Sequence, residues 1–219
     1  MFAGHIGAAL AIGRAERRVN LGVFVFAALF LDFVLWILIL AGWESVAVPA
    51  NFAGAHQPEF VFPYSHSLLA AIAWSLLAGI ATVALYRPLK AAKLRAAVFV
   101  GMAVFSHWLL DALVHASEMP LAGDSSRKVG LGLWNSMPAA LVVEALITLA
   151  GLWLFVSSAN LSRGKKVSLV ALTSATLVFT VAGMTIAPPP PSVAAMASSS
   201  LVTIVAVCVL AGWLGKRAT

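Results

Sequence analysis

Long apolar stretches broken by short polar connectors set the pattern of this chain. Runs of about 20 residues, each able to cross ~30 Å of hydrocarbon at a helical rise of about 1.5 Å per residue, lie at Leu21–Ala41, His66–Tyr86, Ala96–Ala116, Met137–Ser157, Val167–Ala187 and Val193–Leu214. Ahead of them, Met1–Gly13 is apolar but too short to span, and its basic residues follow the apolar part, unlike those of a secretory signal. The pattern predicts an all-α, polytopic integral membrane bundle of about six transmembrane helices with a short N-terminal helix. It forms one membrane domain, 1–219, in which 1–157 carries the chemistry and 158–219 is a two-helix C-terminal scaffold.

Composition agrees with this reading and removes others. With 62% hydrophobic and 10% charged residues and a mean hydropathy of +0.99, the chain lies outside the range of soluble domains. The net charge of +6 does not signal nucleic acid, because the basic residues sit between the spans instead of forming a patch. Arg14, Arg17, Arg18, Arg87, Lys90, Lys93, Arg95, Arg163, Lys165, Lys166, Lys216 and Arg217 fall on one side, against Arg127 and Lys128 on the other. The positive-inside rule then puts both termini of this multi-pass protein in the cytoplasm. The single cysteine, Cys208, cannot form an intrachain disulfide.

Against this background the ionisable residues inside the apolar runs carry the information. Burying such a group in lipid costs about 2.5–3.5 kcal/mol or more, so those that persist face a protein interior and mark function. His107 and Asp111 stand four residues apart, on one helix face. Asp32 lies about 21 Å into the first span from Arg18. It needs a partner or a cation, or else is a protonated carboxyl bonded to a neighbouring helix. His66 opens the second span between Ser65 and Ser67, Glu144 lies in the fourth, and His115 falls one turn beyond Asp111 on the same face, where it either supports the pair or is exposed at the interface. His5 has two open placements: on an interfacial helix in contact with solvent, or roughly 13 Å deep in a buried segment. His56, in a polar loop, reads as solvated. Spans five and six hold no ionisable residue inside the bilayer and read as scaffold or lipid-facing surface.

His5, Asp32, His66, His107 and Asp111 supply imidazoles and carboxylates, the ligand types that zinc and similar divalent ions prefer. They suffice for one or two ions if a carboxylate bridges, and such a centre activates water and clamps a phosphoryl group. In the outer loop, Arg127, Lys128 and Asn135 are candidate contacts for an arriving anionic substrate.

The order Gly4-His5, Asp32, Ser65-His66-Ser67 and Ser106-His107-Trp108-Leu109-Leu110-Asp111 resembles the YdjM-type family of bacterial inner-membrane proteins, linked with metal-dependent hydrolysis. The likeness covers roughly residues 1–125. More distantly, the order is similar to the metal core of zinc-dependent phospholipase C and the fungal single-strand nucleases. The resemblance implies one ion held by His5 and Asp111 and a second held by Asp32, His66 and His107 and touched by Asp111, with Asp32 orienting the attacking water. Two departures stand out. Leu31-Asp32-Phe33 replaces the family's Pro-Asp, and there is no His-x3-Glu for a third zinc ion, although Glu144 and His115 could replace part of that site.

The resulting expectation is a membrane-embedded, zinc-type metal-dependent hydrolase, with Asp32, Asp111 and Glu144 as catalytic carboxylates. Its substrate would be a phosphate ester of a membrane lipid or a lipid-linked molecule. Two other classes stay open: an ion- or proton-coupled transporter using the same residues, and a non-catalytic membrane scaffold with a structural metal. Neither a serine-hydrolase elbow nor a phosphate-binding or dinucleotide-binding glycine motif occurs.

Overall fold

The computed structural model describes residues 1–52, 56–85 and 92–216. Tyr86, at the end of the expected second span, and Arg87, Lys90 and Arg217 of the basic side lie outside them. The first helix, α1 (Phe2–Ala15), is an interior element: Ala3, Gly4, His5, Gly7, Ala9 and Gly13 are all buried. It packs against α6 (Met137–Ser158) at backbone contact, where a Cβ on Gly151 would overlap the Gly7 carbonyl and one on Gly7 would stand 2.5 Å from the Ile147 oxygen. Small residues allow a helix too short to span to be held among others, which satisfies its backbone away from lipid. Of the two placements open for His5, the buried one is observed.

The connector after α1 is pinned by charge. Glu16, 1% exposed, accepts from Arg18 Nε at 2.7 Å and Nη2 at 2.6 Å, and pairs with Arg95 Nε at 3.1 Å. Those guanidinium contacts, Arg18 foremost, hold its carboxyl below the usual range against the opposing effect of burial. Arg17 bonds the Ser158 carbonyl, tying the connector to the end of α6.

The first expected span is two helices, α2 (Leu21–Ala28) and α3 (Phe30–Leu40), meeting at 54°. This corrects the single helix expected over Leu21–Ala41. Leu29, at φ −103° and ψ 7°, breaks the helix with neither proline nor glycine present, and Asp32 thereby falls in the first turn of a new helix. α4 (Leu68–Leu85) and α5 (Lys93–Val114) pack on each other, and α4 turns Leu69, Leu76 and Ile80 outward. α7 (Arg163–Thr185) and α8 (Val193–Leu214) complete the bundle, capped at their starts by the Ser162 and Ser192 side chains. Among the described residues, five helices, α4 to α8, are long and apolar enough to span, and the bent α2–α3 pair makes a sixth.

On the side away from the basic connectors, two short antiparallel ribbons cover the bundle. β1 (Ser45–Ala47) pairs with β2 (Glu59–Val61), and β3 (Met119–Pro120) with β4 (Lys128–Val129).

Candidate metal centre

Four elements bring five side chains to one point near the ribbon-covered end. α1 supplies His5, the first turn of α3 supplies Asp32, the segment before α4 supplies His66, and α5 supplies His107 and Asp111 one turn apart. His107 Nε2 lies 3.0 Å from Asp111 Oδ2, 3.6 Å from Asp32 Oδ1 and 3.2 Å from His66 Nε2. His66 Nε2 lies 3.5 Å from Asp111 Oδ2 and 3.6 Å from Asp32 Oδ1. His5 Nε2 reaches Asp111 Oδ1 at 3.1 Å, and its ring stacks on His107 at 3.8 Å. All are buried except Asp32, whose side chain is 26% exposed and faces a cavity.

The supporting hydrogen bonds fix which imidazole atoms are available. His107 Nδ1 is 2.7 Å from the Ala28 carbonyl, at the break between α2 and α3. A carbonyl only accepts, so Nδ1 carries the proton and, in the neutral ring, Nε2 is a lone pair. That lone pair points at two carboxylates and a second imidazole, a repulsive arrangement unless a proton or a metal cation lies between them. The break in the first span thus orients His107 while it delivers Asp32. His66 Nδ1 is held by Ser65 Oγ at 2.7 Å, and Trp108 Nε1 donates to the His66 carbonyl at 3.0 Å. Glu44 Oε1 accepts from the backbone N–H of both Tyr64 and Ser65 at 2.8 Å, fixing the segment that carries His66. Such outer contacts set ligand orientation and tautomer in metal sites.

Two sets have converging ligand atoms that could hold a metal ion: His66, His107 and Asp111, and His5, Asp32 and His107. They share His107, which has a single nitrogen to offer and so serves one ion. A second ion would have to rest on His5 and Asp111 Oδ1 without it. His5 Nδ1 is buried with no hydrogen-bond partner among the described residues, and the Met1 amino group stands 3.5 Å from Asp111 Oδ1.

Asp32, His66 and Asp111 of the cluster line a cavity of about 470 Å³, within the ~300–1,000 Å³ typical of ligand sites. Glu144 lies on its wall, buried, with Oε1 accepting the Gly4 N–H at 3.2 Å. Arg127, Lys128 and Asn135 are not among the lining residues. Lys128 pairs with Asp124 at 3.0 Å on the outer loop, and Asn135 lies in the turn before α6. No Lys or Arg lines the cavity among the described residues.

Two further histidines lie at the cavity. Of the two placements open for His115, beside the pair or exposed at the interface, the first is observed: it is buried, its Nδ1 bonds Glu118 Oε1 at 2.5 Å, Trp134 covers its ring, and it lines the cavity 4.0 Å from Asp111 Oδ2. His56 also lines the cavity, at φ 49°, with its ring against Phe52. Sequence reasoning gave Glu44, Glu118 and the Ala28 carbonyl no role, and only the two acids carry any sequence signal at all. Comparison with family models, curated proteins and solved structures finds no match for the chain.

Proposed function

We propose that this protein is a membrane-embedded metal-dependent hydrolase that cleaves a phosphate ester of a lipid or lipid-linked molecule. The observation that carries the reading is the His107 Nε2 lone pair, locked by Ala28 to face Asp32, Asp111 and His66 at 3.0–3.6 Å. A cation at that point reconciles all four groups, and the mixed nitrogen and oxygen donor set fits zinc or a similar divalent ion. When bound, such an ion polarises a phosphoryl oxygen and lowers the pKa of water towards neutrality.

The chain's own residues supply the rest. Asp32, the least buried of the five, is placed to orient water and take its proton. Glu144, on the cavity wall, is placed to hand a proton to the leaving oxygen. In the balanced step a water oxygen bonds to phosphorus as the bond to the leaving oxygen breaks; one water proton goes to Asp32, the other stays on the new P–OH, and the leaving oxygen takes the proton carried by Glu144. Arg127 and Lys128 keep at most a role in attracting an anionic head from outside. The motif-level likeness to YdjM-type proteins supports the same chemistry, and the basic connectors support a cytoplasmic placement of the opposite end.

The test is turnover of phosphate-ester lipids by purified protein. Hydrolysis should vanish with chelator, return with zinc, and fall on the order of a thousandfold in Asp32→Asn. Turnover indifferent to chelator and to Asp32→Asn contradicts the proposal. One observation favours the transporter reading: the first span is broken beside the ionisable cluster, as discontinuous helices are at ion-binding sites. Metal-ion flux into proteoliposomes, lost in Asp111→Ala, would select it.

A further inference from the structure

The cavity does not end at the polar cluster. Its far wall is made by α7 and α8, the spans with no ionisable residue in the bilayer, through Phe179, Gly183 and Met184 on one and Met196, Thr203 and Ile204 on the other. Trp36 of α3 faces them. Three of the four hydroxyls on this wall are engaged within their own helices: Thr180 donates to the Thr176 carbonyl, Ser199 to Met196 and Thr203 to Ser199, while Ser200 is the fourth. The donors of those three are spent, so the wall presents mainly carbon, and its two methionines are side chains that adapt to irregular apolar shapes.

At Gly183 the direction of a Cβ is open, with no atom within 4 Å among the described residues. Phe179, edge-on to Phe2, lines the cavity and is still 59% exposed, on a helix long and apolar enough to span a membrane. The cavity is therefore acidic and imidazole-lined at Asp32, His66 and Asp111 and apolar along α7 and α8.

We infer that the space between α3, α7 and α8 holds the hydrocarbon chain of the substrate. The ester head lies at Asp32, His66 and Asp111, so the molecule taken is a chain-bearing phosphate amphiphile reaching the site from within the membrane. The placement of the head rests on the hydrolase reading above; the seat of the chain rests on the cavity alone. A water-soluble phosphate ester has no use for an apolar wall between two spans, and a transported ion has none either.

The experiment uses the full-length protein in nanodiscs with dodecyl phosphate carrying a diazirine at the chain end, and maps cross-links by peptide mass spectrometry. Labelling is expected within 179–184 and 196–204. Unlabelled dodecyl phosphate should compete it away, and butyl phosphate and inorganic phosphate should not. Gly183→Phe, whose ring enters open space and replaces glycine in a helix, should lose that labelling while its zinc content stays at the wild-type level; Gly183→Ala should keep it. Labelling confined to outward positions such as Leu76 and Val178 and unaltered by Gly183→Phe would overturn the inference, as would equal competition by butyl phosphate. Cavity labelling blocked by Gly183→Phe in a protein that binds no metal would uphold the seat of the chain and refute the metal-dependent reading.

Discussion

Glu16, at the basic end of the bundle, and Asp111, about 24 Å further along α5 from Arg95 by helical rise, are both buried acids in very different company. Glu16 meets two guanidiniums, from Arg18 and Arg95, so its charge is answered by side chains of the protein. Asp111 meets the Met1 amino group at Oδ1 and three imidazoles within 3.5 Å, two of them at Oδ2, lies near a second carboxylate, and no Lys or Arg lines its cavity among the described residues. The first cluster is complete and reads as a clamp joining α1 to α5. The second holds lone pairs that face carboxylates, and a cation from outside the chain would complete it. Burial marks both acids equally; the chemistry of the partners separates a structural pair from a site.

The largest expected effect that would break this contrast is at the shared ligand. His107→Ala removes the common nitrogen and strips the Ala28 carbonyl of its partner, so bound metal should be lost and the thermal midpoint should fall; disruption of Glu16 by Arg18→Ala should lower the midpoint and leave metal content intact. Metal analysis alongside thermal unfolding reads both. Next is the seat of α1. Gly151→Leu forces atoms into the Gly7 backbone, an overpacking cost of about 1–3 kcal/mol. Because α1 carries His5, occupancy should fall with stability, which thermal unfolding at several zinc concentrations would reveal.

Ser65→Ala sharpens the contrast more gently. It removes the group that orients His66 and should weaken metal binding about 10–100-fold with little loss of fold, as a competition titration with a chelating dye would show.

The smallest effect is in pH. Glu16 has a folded pKa below its ordinary 4.5, so its contribution to stability is full above that value and fades as pH falls through the folded one. Wild type should lose stability below about pH 4.5 more steeply than Glu16→Gln, measured by denaturation at fixed salt. Equal slopes would mean that the clamp does not hold the charge.

Much of the site was visible in the sequence because lipid makes ionisable residues conspicuous. Asp32, His107, Asp111 and Glu144 stand out in apolar runs, and the positions four apart put His107 and Asp111 on one face. Depth along the spans, however, separates His5 from His66. The structure reconciles them by starting α1 inside the bundle and by breaking the first span at Leu29. That break has no local signal, since Phe26 to Phe33 contains no proline or glycine, and its partner, His107 Nδ1, is 79 residues away. Glu44 looked like any acid in an outer loop, because only the fold returns Tyr64 and Ser65 to it. The wall given by α7 and α8 was hidden for a different reason: an apolar residue facing a cavity and one facing lipid have the same composition and the same spacing.

Whether the cluster at His107 is a metal centre is read from metal content. Protein purified in mild detergent without chelator is analysed by elemental mass spectrometry, with Asp111→Ala and Glu16→Gln prepared in parallel. Bound zinc, iron or manganese is expected in the wild type and in Glu16→Gln, and none in Asp111→Ala. A wild-type protein that takes up no divalent metal under any loading condition would contradict it, and would leave protonation as the only means of joining His107 to its two carboxylates.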